Sequence, residues 1–333
     1  MAELAQSTDR LVTVFGASGF LGRHVTRALA KDGWRIRAAC RRPDLAFHLQ
    51  PLGRVGQIAP IQANVRYPES VAAAIAGADA VVNLVGVLAP HGRQSFEAVH
   101  AFGANAIAKA AAAAGVDNLV HVSAIGADAS APAVYASSKG RGEQAMREHV
   151  PGVNILRPSV VFGPEDAFFN RFAAIARAFP VVPVVGGATK FQPVFVGDVA
   201  SAVARLAGGA ARGATYELGG PEVLPFRDIV QWICDETGRK RLIANLPFGA
   251  GRAMALGTEI ASAVSLGLYP SWLTTTRDQV EMLRNDNVVS ADAITDGRTL
   301  EGLGITPESF RAVAPNYLWR FRATGQFNQR KMA

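Results

Sequence analysis

The stretch that decides the fold is Gly16-Ala17-Ser18-Gly19-Phe20-Leu21-Gly22. It follows the β-branched apolar run Leu11-Val12-Thr13-Val14-Phe15, which predicts a buried strand, and it opens a segment with helical spacing that extends to Lys31. A strand, a glycine-rich turn and a helix in this order are the context in which a glycine pattern binds a dinucleotide. The sequence therefore predicts a nucleotide-binding turn close to its start.

Each glycine of this turn has its own predicted task. Gly16 permits the tight turn, Gly19 lets the backbone approach a pyrophosphate, and Gly22 lets the helix pack closely on the strand. The free N–H groups and the positive dipole end of the helix then face the phosphates. A plain strand–helix turn is the competing interpretation. The residues predicted to hold the pyrophosphate are Gly16, Ser18, Gly19, Phe20, Leu21 and Gly22.

Strand and helix patterns alternate through the first half of the 333-residue chain. Repeated βαβ units with continuous apolar strands predict an α/β fold, a doubly wound parallel Rossmann sheet, with its ligand at the carboxyl ends of the strands. Further along, the elements become shorter and richer in Pro and Gly, which predicts a smaller α+β lobe. We expect a leader over residues 1–9, an NAD(P)-binding Rossmann domain over 10–157, and a C-terminal substrate or docking lobe over 158–333, from which the chain can cross back into the sheet.

The end of the second predicted strand indicates which dinucleotide is preferred. A site that prefers NAD(H) places a carboxylate about 20 residues after the glycines, where it bonds the ribose 2′-hydroxyl. Arg41 and Arg42 stand there instead, and a guanidinium binds a 2′-phosphate through charge-assisted hydrogen bonds. We therefore predict NADP(H), with NAD(H) as the alternative if both arginines are surface residues.

Two later strand ends complete the predicted cofactor site. Asn64 and Val65 follow the third strand and are placed to frame the adenine. Leu84, Val85 and Gly86 follow the fourth strand, and they put a glycine where the backbone must come close to the ribose–nicotinamide half.

The candidate chemistry lies in Tyr135-Ala136-Ser137-Ser138-Lys139. Residues i and i+4 share a helix face, so the Tyr135 hydroxyl and the Lys139 ammonium point into the same cleft. The positive charge favours ionised tyrosine, which would exchange a proton with a substrate oxygen while hydride moves to or from the nicotinamide. Ser123, at the end of the fifth strand, is placed to donate a hydrogen bond to the same oxygen. The alternative is that Tyr135 and Lys139 only hold the cofactor.

Composition excludes several classes of protein. The chain is 49% hydrophobic and 18% charged, which is typical of a globular protein. Cys40 and Cys234 lack metal-ligand spacing and are expected to be reduced, buried thiols. The six histidines also lack ligand spacing, and each is expected at the surface or in packing, so we predict no metal site. No segment predicts a membrane span, and no motif predicts nucleic-acid binding.

The C-terminal part of the chain predicts contact with an anionic surface. After a turn-rich linker over 286–307 we expect a last helix near 308–322 and then a tail. The end of the chain holds no acidic residue from position 311 onward, and aromatic residues such as Tyr317, Trp319 and Phe327 are interleaved with five basic ones, Arg311, Arg320, Arg322, Arg330 and Lys331. This mixture suits phospholipid headgroups or an acidic protein partner. The alternative is a solvated basic tail whose aromatics pack on the body of the protein.

Residues 246–269 form the second candidate for contact with a membrane. Arg252 and Glu259 interrupt this stretch, so it does not predict a span. Ile260, Val264 and Leu268 recur every four residues, which predicts an amphipathic helix that is packed on the core or lies on a bilayer surface.

Four later stretches carry a resemblance to a known family. They are Arg157-Pro158-Ser159-Val160-Val161-Phe162-Gly163-Pro164-Glu165-Asp166, Phe191-Gln192-Pro193-Val194-Phe195-Val196-Gly197-Asp198-Val199-Ala200, Thr276-Arg277-Asp278-Gln279-Val280-Glu281-Met282-Leu283 and Tyr317-Leu318-Trp319-Arg320-Phe321-Arg322. With the glycine turn and the Tyr135/Lys139 pair, the chain resembles an extended short-chain dehydrogenase/reductase. Within that group it is similar to the nucleotide-binding accessory subunit of respiratory complex I, an atypical member, over nearly its whole length.

The resemblance implies tight binding of NADPH, a mainly structural role for the cofactor, and association with complex I subunits or with proteins of ubiquinone biosynthesis. It also implies that the glycines hold the pyrophosphate, that Arg41 or Arg42 holds the 2′-phosphate, and that Pro158 and Ser159 lie near the nicotinamide. The sequence departs from the mitochondrial pattern in lacking a presequence, from which we expect a bacterial member. It also keeps the full Tyr135/Lys139 pair, so an inert subunit is not assured.

Two hypotheses for the function follow. The first is a binding and structural role in the cytoplasm, with peripheral contact on the inner face of the cytoplasmic membrane. The second is an NADPH-dependent reductase, or an epimerase or dehydratase, that acts on an apolar quinone-like or isoprenoid-like substrate. The residues that would line its apolar cleft are Phe162, Phe168, Phe169, Phe172 and Phe191.

Overall fold

A computed structural model describes residues 9–90, 92–265, 270–323 and 325. Within these residues, seven parallel strands form the main sheet: β1 (Leu11–Phe15), β2 (Arg35–Cys40), β3 (Ile58–Gln62), β4 (Ala80–Asn83), β5 (Leu119–Val122), β6 (Asn154–Pro158) and β7 (Thr215–Leu218). Their order is β7-β6-β5-β4-β1-β2-β3. The chain therefore changes direction between β1 and β4, which confirms the doubly wound sheet and puts the expected ligand crevice at the carboxyl ends of these two strands.

Helices follow the strands as the alternating pattern predicts. They are α1 (Phe20–Lys31), α2 (Pro68–Ile75), α3 (Phe102–Ala113), α4 (Val134–His149) and α5 (Val196–Ala207), with 3₁₀ turns at Pro43–Leu45 and Phe47–Leu52. The sequence pattern from 96 to 114 predicts a single helix, but the structure opens that segment with a π-helical turn, Glu97–Ala101, before α3 begins. Buried side chains including Phe15, Ile107 and Met146 form a continuous apolar cluster that holds the helices on the sheet.

The chain divides into two compact units, and the first is not continuous in sequence. It comprises residues up to 158, then 196–218, which supply α5 and β7, and finally 290–306. The stretch over 286–307 that composition marks as a linker is therefore largely part of the first unit, where it forms a helix, Ala291–Thr295, and a 3₁₀ turn, Glu301–Leu303. Buried Ala293 and Leu300 anchor it. Its turn-forming residues predict its local shape but not its packing.

The second unit comprises residues 159–195, 219–289 and 307 onward. Short strands pair as Val161–Phe162 with Val194–Phe195, Val181–Val185 with Leu242–Leu246, and Lys190–Phe191 with Leu224–Pro225. Longer helices are Phe169–Ala178, Phe226–Glu236, Phe248–Val264 and Arg277–Met282. Among the phenylalanines expected to line an apolar cleft, Phe162, Phe169 and Phe172 are buried in the aromatic core, while Phe168 and Phe191 pack partly buried against it. Those three therefore stabilise the unit and do not face a ligand.

The last helix expected near 308–322 is broken into three short pieces. They are Phe310–Val313, Pro315–Leu318 and the 3₁₀ turn Trp319–Phe321. Pro315 lacks the N–H that a continuous helix would need, so the chain bends there. Tyr317 is buried, and its hydroxyl donates to Asp166 Oδ2 at 2.9 Å, as expected if the aromatic residues pack on the body.

Much of the basic charge at this end is used within the second unit. Arg311 pairs with Glu222, Arg322 pairs with Glu236, and Arg320 donates to the carbonyl oxygen of Pro164. Phe327, Arg330 and Lys331 lie outside the described residues, as do Leu268 and most of the leader. Within the described part of the chain, no helix is long and apolar enough to cross a membrane.

Candidate functional site

Two glycines at the turn between β1 and α1 stand where a side chain would be strained or would clash with backbone. Gly16 has a φ of +82°, and a Cβ there would lie 3.2 Å from the carbonyl carbon of Leu84. A Cβ on Gly22 would lie 2.2 Å from the carbonyl oxygen of Gly16. Both positions therefore require glycine, for backbone conformation at the first and for helix packing at the second.

The N-terminus of α1 offers unpaired backbone donors to an anion. The helix begins after Gly19, no side chain caps its first N–H groups, and its first turn holds no acidic residue. Gly19 is exposed, while Ser18, Phe20 and Leu21 are half-buried, so this backbone borders the surface. Because the first N–H groups of a helix have no partner within it, the turn can bind a phosphate.

The loop after β4 packs against Gly16 and is held by the buried side chain of Asn83. Leu84 N–H donates to the Phe15 carbonyl oxygen at 3.0 Å, and Val85 N–H donates to Asn83 Oδ1 at 3.0 Å. The Asn83 amide nitrogen in turn lies 3.0 Å from His121 Nδ1. These hydrogen bonds fix the backbone conformation at the start of loop 84–86. Gly86, at the end of the loop, is exposed.

Lys139 on α4 points toward that loop from the other side. Its Nζ donates to the Val122 carbonyl oxygen at 3.2 Å, and a Cβ on Gly86 would lie 3.3 Å from it. The side chain is buried, and desolvation lowers the pKa of Lys139 to about 8, with the charge of Glu143 acting in the opposite direction. Tyr135, one turn earlier, is half-buried. Because both residues lie within α4 at positions i and i+4, they share one face of the helix.

Ser123 stands at the end of β5 with its hydroxyl uncommitted. Its N–H donates to the Leu156 carbonyl oxygen at 2.7 Å. Its Oγ is buried and finds no hydrogen-bond partner among the residues that the structure describes. A buried hydroxyl without a partner costs about 1–3 kcal/mol, so a ligand oxygen at this position would offset a real penalty.

Two of the histidines expected at the surface or in packing are buried, and they lie beside this site. His100, in the π-helical turn, and His121, on β5, are each 2% exposed. Burial and the charge of Lys139 lower the pKa of His100 to about 3 and hold that of His121 well below its usual value, so both rings are neutral. The position of His121 between Val120 and Val122 in an apolar strand was the one signal of its burial.

Behind Lys139, a buried ion pair fixes α4 to the sheet. Glu143 accepts two hydrogen bonds from Arg157, at 2.9 Å from Nε and 2.7 Å from a terminal nitrogen. The Glu143 side chain is 1% exposed. Its carboxylate also accepts a longer hydrogen bond from Arg147, at 3.3 Å. The shorter bonds to Arg157 on β6 hold α4 in register with the strand that follows β5.

The two arginines after β2 are in different situations. Arg42 forms an exposed ion pair with Asp44 at 2.8 Å. Arg41 is exposed, and the structure gives it no partner within the described residues. Asn64 Oδ1 accepts the Arg66 N–H, which shapes the turn after β3, and Val65 is buried against Gly103 of α3. The framing of an adenine by these two residues stays a prediction.

Pro158 and Ser159, which the resemblance places near a nicotinamide, belong to different units. Pro158 ends β6, and its carbonyl oxygen accepts the Ile125 N–H at 3.1 Å. Ser159 begins the second unit, where its hydroxyl lies 2.7 Å from Asn287 Oδ1 and 2.8 Å from the Asn287 carbonyl oxygen. The Ser159 hydroxyl is therefore already engaged by Asn287.

These features fit a dinucleotide on physical grounds. The uncapped start of α1 and the exposed Gly19 beside it leave main-chain amides that phosphate oxygens could approach. Lys139 is a buried ammonium with one hydrogen bond, and Ser123 is a buried hydroxyl with none, among the described residues. When bound, a nicotinamide dinucleotide supplies or accepts hydride, whereas this chain supplies binding, orientation and proton donors.

Comparison with known proteins supports this assignment. A family model described as NAD(P)H-binding matches residues 16–160. The mitochondrial NADH dehydrogenase (ubiquinone) 1 alpha subcomplex subunit 9 of Arabidopsis thaliana is 32% identical over 321 residues, which cover 95% of this chain and 79% of that protein. A ceramide reductase of Caulobacter vibrioides is 32% identical over 198 residues, 60% of this chain and 61% of that one.

The fold is shared with solved structures of lower identity. The NADPH-dependent quinone oxidoreductase QOR2 of Escherichia coli, complexed with NADPH, matches with a TM-score of 0.71 at 20% identity. The match covers 92% of this chain and 99% of that one. At this level of identity the likeness concerns the fold alone.

Proposed function

From the premise that this chain belongs to the family of the complex I alpha subcomplex subunit 9, we propose that it binds NADP(H) as a mainly structural cofactor. In this role the dinucleotide stabilises the first unit, and the protein docks on a membrane-associated assembly, either complex I or the proteins of ubiquinone biosynthesis. The pyrophosphate lies on the Gly16–Gly22 turn, and Lys139 binds the ribose of the nicotinamide half.

The observation that carries a structural role is the burial of Lys139. An ammonium with a single hydrogen bond to Val122 is expensive to bury, as the lowered pKa of Lys139 indicates. Ribose hydroxyls would accept hydrogen bonds from its other N–H groups. Ligand at about a thousand times its dissociation constant adds about 4 kcal/mol of stability. A cofactor that also supplies hydrogen-bond acceptors to the buried Lys139 ammonium therefore becomes part of the folded structure.

The preference for the 2′-phosphate rests on Arg41. Its guanidinium is exposed and unpaired within the described residues, whereas Arg42 already neutralises Asp44. We assign Arg41 to the 2′-phosphate, and Arg42 to keeping the Asp44 carboxylate from repelling it. NAD(H) remains the weaker ligand because it lacks the group that Arg41 would bind.

The cofactor proposal is tested by titrating purified protein with NADPH and NADH while following nicotinamide fluorescence and thermal unfolding. We expect saturable binding with NADPH tighter, and a marked rise in the unfolding temperature. Arg41→Glu should remove the preference for NADPH, whereas Arg42→Glu should weaken it less. Absence of saturable binding of either dinucleotide would refute the proposal.

The docking face that we propose is the exposed apolar side of helix Phe248–Val264. Leu256, Ile260 and Val264 are 43%, 54% and 75% exposed. The charged flank of the helix is engaged within the unit, where Arg252 pairs with Glu281. An exposed apolar stripe beside neutralised charges suits an apolar protein surface at the membrane.

Localisation at the inner face of the cytoplasmic membrane is tested by fractionation. We expect wild-type protein to sediment with membranes and, after mild solubilisation, to co-purify with respiratory or quinone-synthesis subunits identified by mass spectrometry. The double variant Ile260→Asn, Val264→Asn should be released from the membrane with unchanged NADPH affinity. Wild-type protein found entirely in the soluble fraction would contradict peripheral attachment.

A second function, reduction or epimerisation of an apolar substrate, is favoured by the complete Tyr135/Lys139 pair and by the buried Ser123 hydroxyl. The relative named as a ceramide reductase indicates that this scaffold supports chemistry on lipid-like molecules. In that case Tyr135 exchanges the proton on the substrate oxygen and Ser123 hydrogen-bonds the same oxygen. Tyr135→Phe should then abolish rescue of a deletion strain with NADPH affinity unchanged, and equal rescue by variant and wild type would exclude it.

A further inference from the structure

His100 lies in the π-helical turn, between the loop after β4 and helix α4. The turn Glu97–Ala101 precedes α3, and its backbone contacts α4 closely, because a Cβ on Gly142 would lie 2.5 Å from the His100 carbonyl oxygen. Turns of π-helix are frequent at functional positions. The His100 ring stacks on Phe96 with centroids 5.5 Å apart and meets the Tyr135 ring edge-on at 5.4 Å.

Both ring nitrogens of His100 are engaged, one on each side. Val87 N–H donates to Nε2 at 3.0 Å, so Nε2 carries the lone pair. Nδ1 must then carry the proton, which it donates to Ser138 Oγ at 2.9 Å. The Ser138 hydroxyl in turn donates to the Tyr135 carbonyl oxygen at 2.8 Å. A single neutral tautomer thus connects the loop after β4 to the first turn of α4.

The contact is close on the loop side. A Cβ on Gly86 would lie 3.3 Å from Lys139 Nζ and 3.7 Å from His100 Nε2. The backbone at Gly86 therefore faces the lysine and the histidine together. A shift of this loop would change its distance to both side chains.

We propose that His100 is a positioning residue that fixes the loop of residues 84–87 against Tyr135 and Lys139, and so shapes the nicotinamide half of the dinucleotide site. The inference rests on the proposed function and deepens it. His100 has no proton to exchange in this role, because both nitrogens are committed. It acts through the Val87 N–H and Ser138, and the adenosine half of the site does not depend on it.

Two substitutions separate hydrogen bonding from ring packing. His100→Gln can place its amide oxygen near the position of Nε2, which keeps an acceptor for Val87 but loses the ring. His100→Phe keeps a ring against Phe96 but loses both hydrogen bonds. The ligands are NADPH and adenosine 2′,5′-bisphosphate, a fragment that carries the 2′-phosphate but lacks both the nicotinamide and its ribose. His149→Gln serves as the control, since that histidine lies at the far end of α4 and hydrogen-bonds Asn105 of α3.

For His100→Phe we expect NADPH to bind about tenfold more weakly, the loss that corresponds to about one buried hydrogen bond, with altered nicotinamide fluorescence. The fragment should bind within about twofold of wild type. His100→Gln should retain NADPH affinity within about threefold, and the control should match wild type.

The role of His100 is overturned if His100→Phe binds NADPH as wild type does, if His100→Gln loses as much affinity as His100→Phe, or if the fragment weakens in step with NADPH. Unfolding temperatures without ligand identify a variant that has not folded. The NADPH and fragment affinities of the other variant then test the inference. Wild-type protein that binds neither compound refutes the proposed cofactor itself, and this inference with it. Wild-type binding with unaffected His100 variants refutes this inference alone.

Discussion

Replacing Lys139 with methionine should stabilise the protein without ligand and weaken its binding of NADPH. Methionine has a similar length, and its apolar side chain removes the buried charge. Burial lowers the pKa of Lys139 from 10.5 to about 8, and a difference of this size corresponds to about 3 kcal/mol against the folded state. Loss of the hydrogen bond to Val122 destabilises the folded variant by about 1 kcal/mol. We therefore expect a net gain of about 2 kcal/mol at pH 6.5.

The pH dependence identifies the cause. Between pH 8 and 10.5 the unfolded wild-type chain holds a proton on Lys139 that the folded chain has lost, so wild-type stability rises with pH in this window. The advantage of the methionine variant, which does not titrate there, is complete below pH 8 and disappears above pH 10.5. Groups distant from Lys139 titrate equally in both proteins and cancel in the difference, and the neighbouring His100 and His121 titrate well below this window.

The assay is urea unfolding of ligand-free wild type, Lys139→Met and Lys109→Met at pH 6.5 and pH 10, with NADPH titrations alongside. Lys109 is an exposed lysine on α3, so its substitution should change the free energy of unfolding by less than about 0.5 kcal/mol. NADPH should bind Lys139→Met at least about tenfold more weakly. The reasoning fails if Lys139→Met is the less stable protein at pH 6.5, or if its advantage is as large at pH 10.

Two further substitutions test the framework of the site. Gly22→Ala should abolish folding or cofactor binding, because its methyl group would lie 2.2 Å from the Gly16 carbonyl oxygen, whereas Gly257→Ala, in a helix with open space around it, should add up to about 1 kcal/mol in thermal unfolding. A folded, NADPH-binding Gly22→Ala would contradict the packing described here. Glu143→Gln should cost about 3 kcal/mol or more in chemical unfolding, since it removes the closest counter-charge of Arg157 and leaves that guanidinium only Glu217, at 3.9 Å. A loss below about 1 kcal/mol would mean that the Glu143–Arg157 pair is solvated.

Local chemistry in the sequence was sufficient to predict the main sheet and the glycine turn between β1 and α1. Apolar runs bounded by glycine and helical periods fix strands and helices within a few residues, and α4 places Tyr135 and Lys139 on one face because helical spacing alone requires it. The glycine at position 22 was readable because its function, close approach of two backbones, is itself local to the strand–turn–helix unit.

Features that depend on contacts distant in sequence were not predictable. The burial of Leu300 decides that residues 290–306 join the first unit, and a turn-rich composition carries no sign of it. His100 is separated by 38 residues from Ser138, and its role appears only when the π-helical turn and α4 are packed together. The aromatic residues of the second unit were assigned to a cleft because apolar composition cannot distinguish a ligand pocket from a core.

The distribution of polar groups around α4 helps to distinguish a site that only binds a structural cofactor from one that is also catalytic. The buried carboxylate nearest to Lys139 along the helix, Glu143, is bonded by Arg157 and does not form an ion pair with the lysine. The neighbouring rings of His100 and His121 are held neutral, and an imidazole in either protonation state has no negative charge to pair with the lysine. The ammonium is therefore left with a stability cost that a well-packed apolar residue would remove. A structural cofactor accounts for that cost, because it would satisfy the lysine in the bound state. It does not by itself account for the buried hydroxyl of Ser123, to which a further ligand oxygen would supply a hydrogen-bond partner.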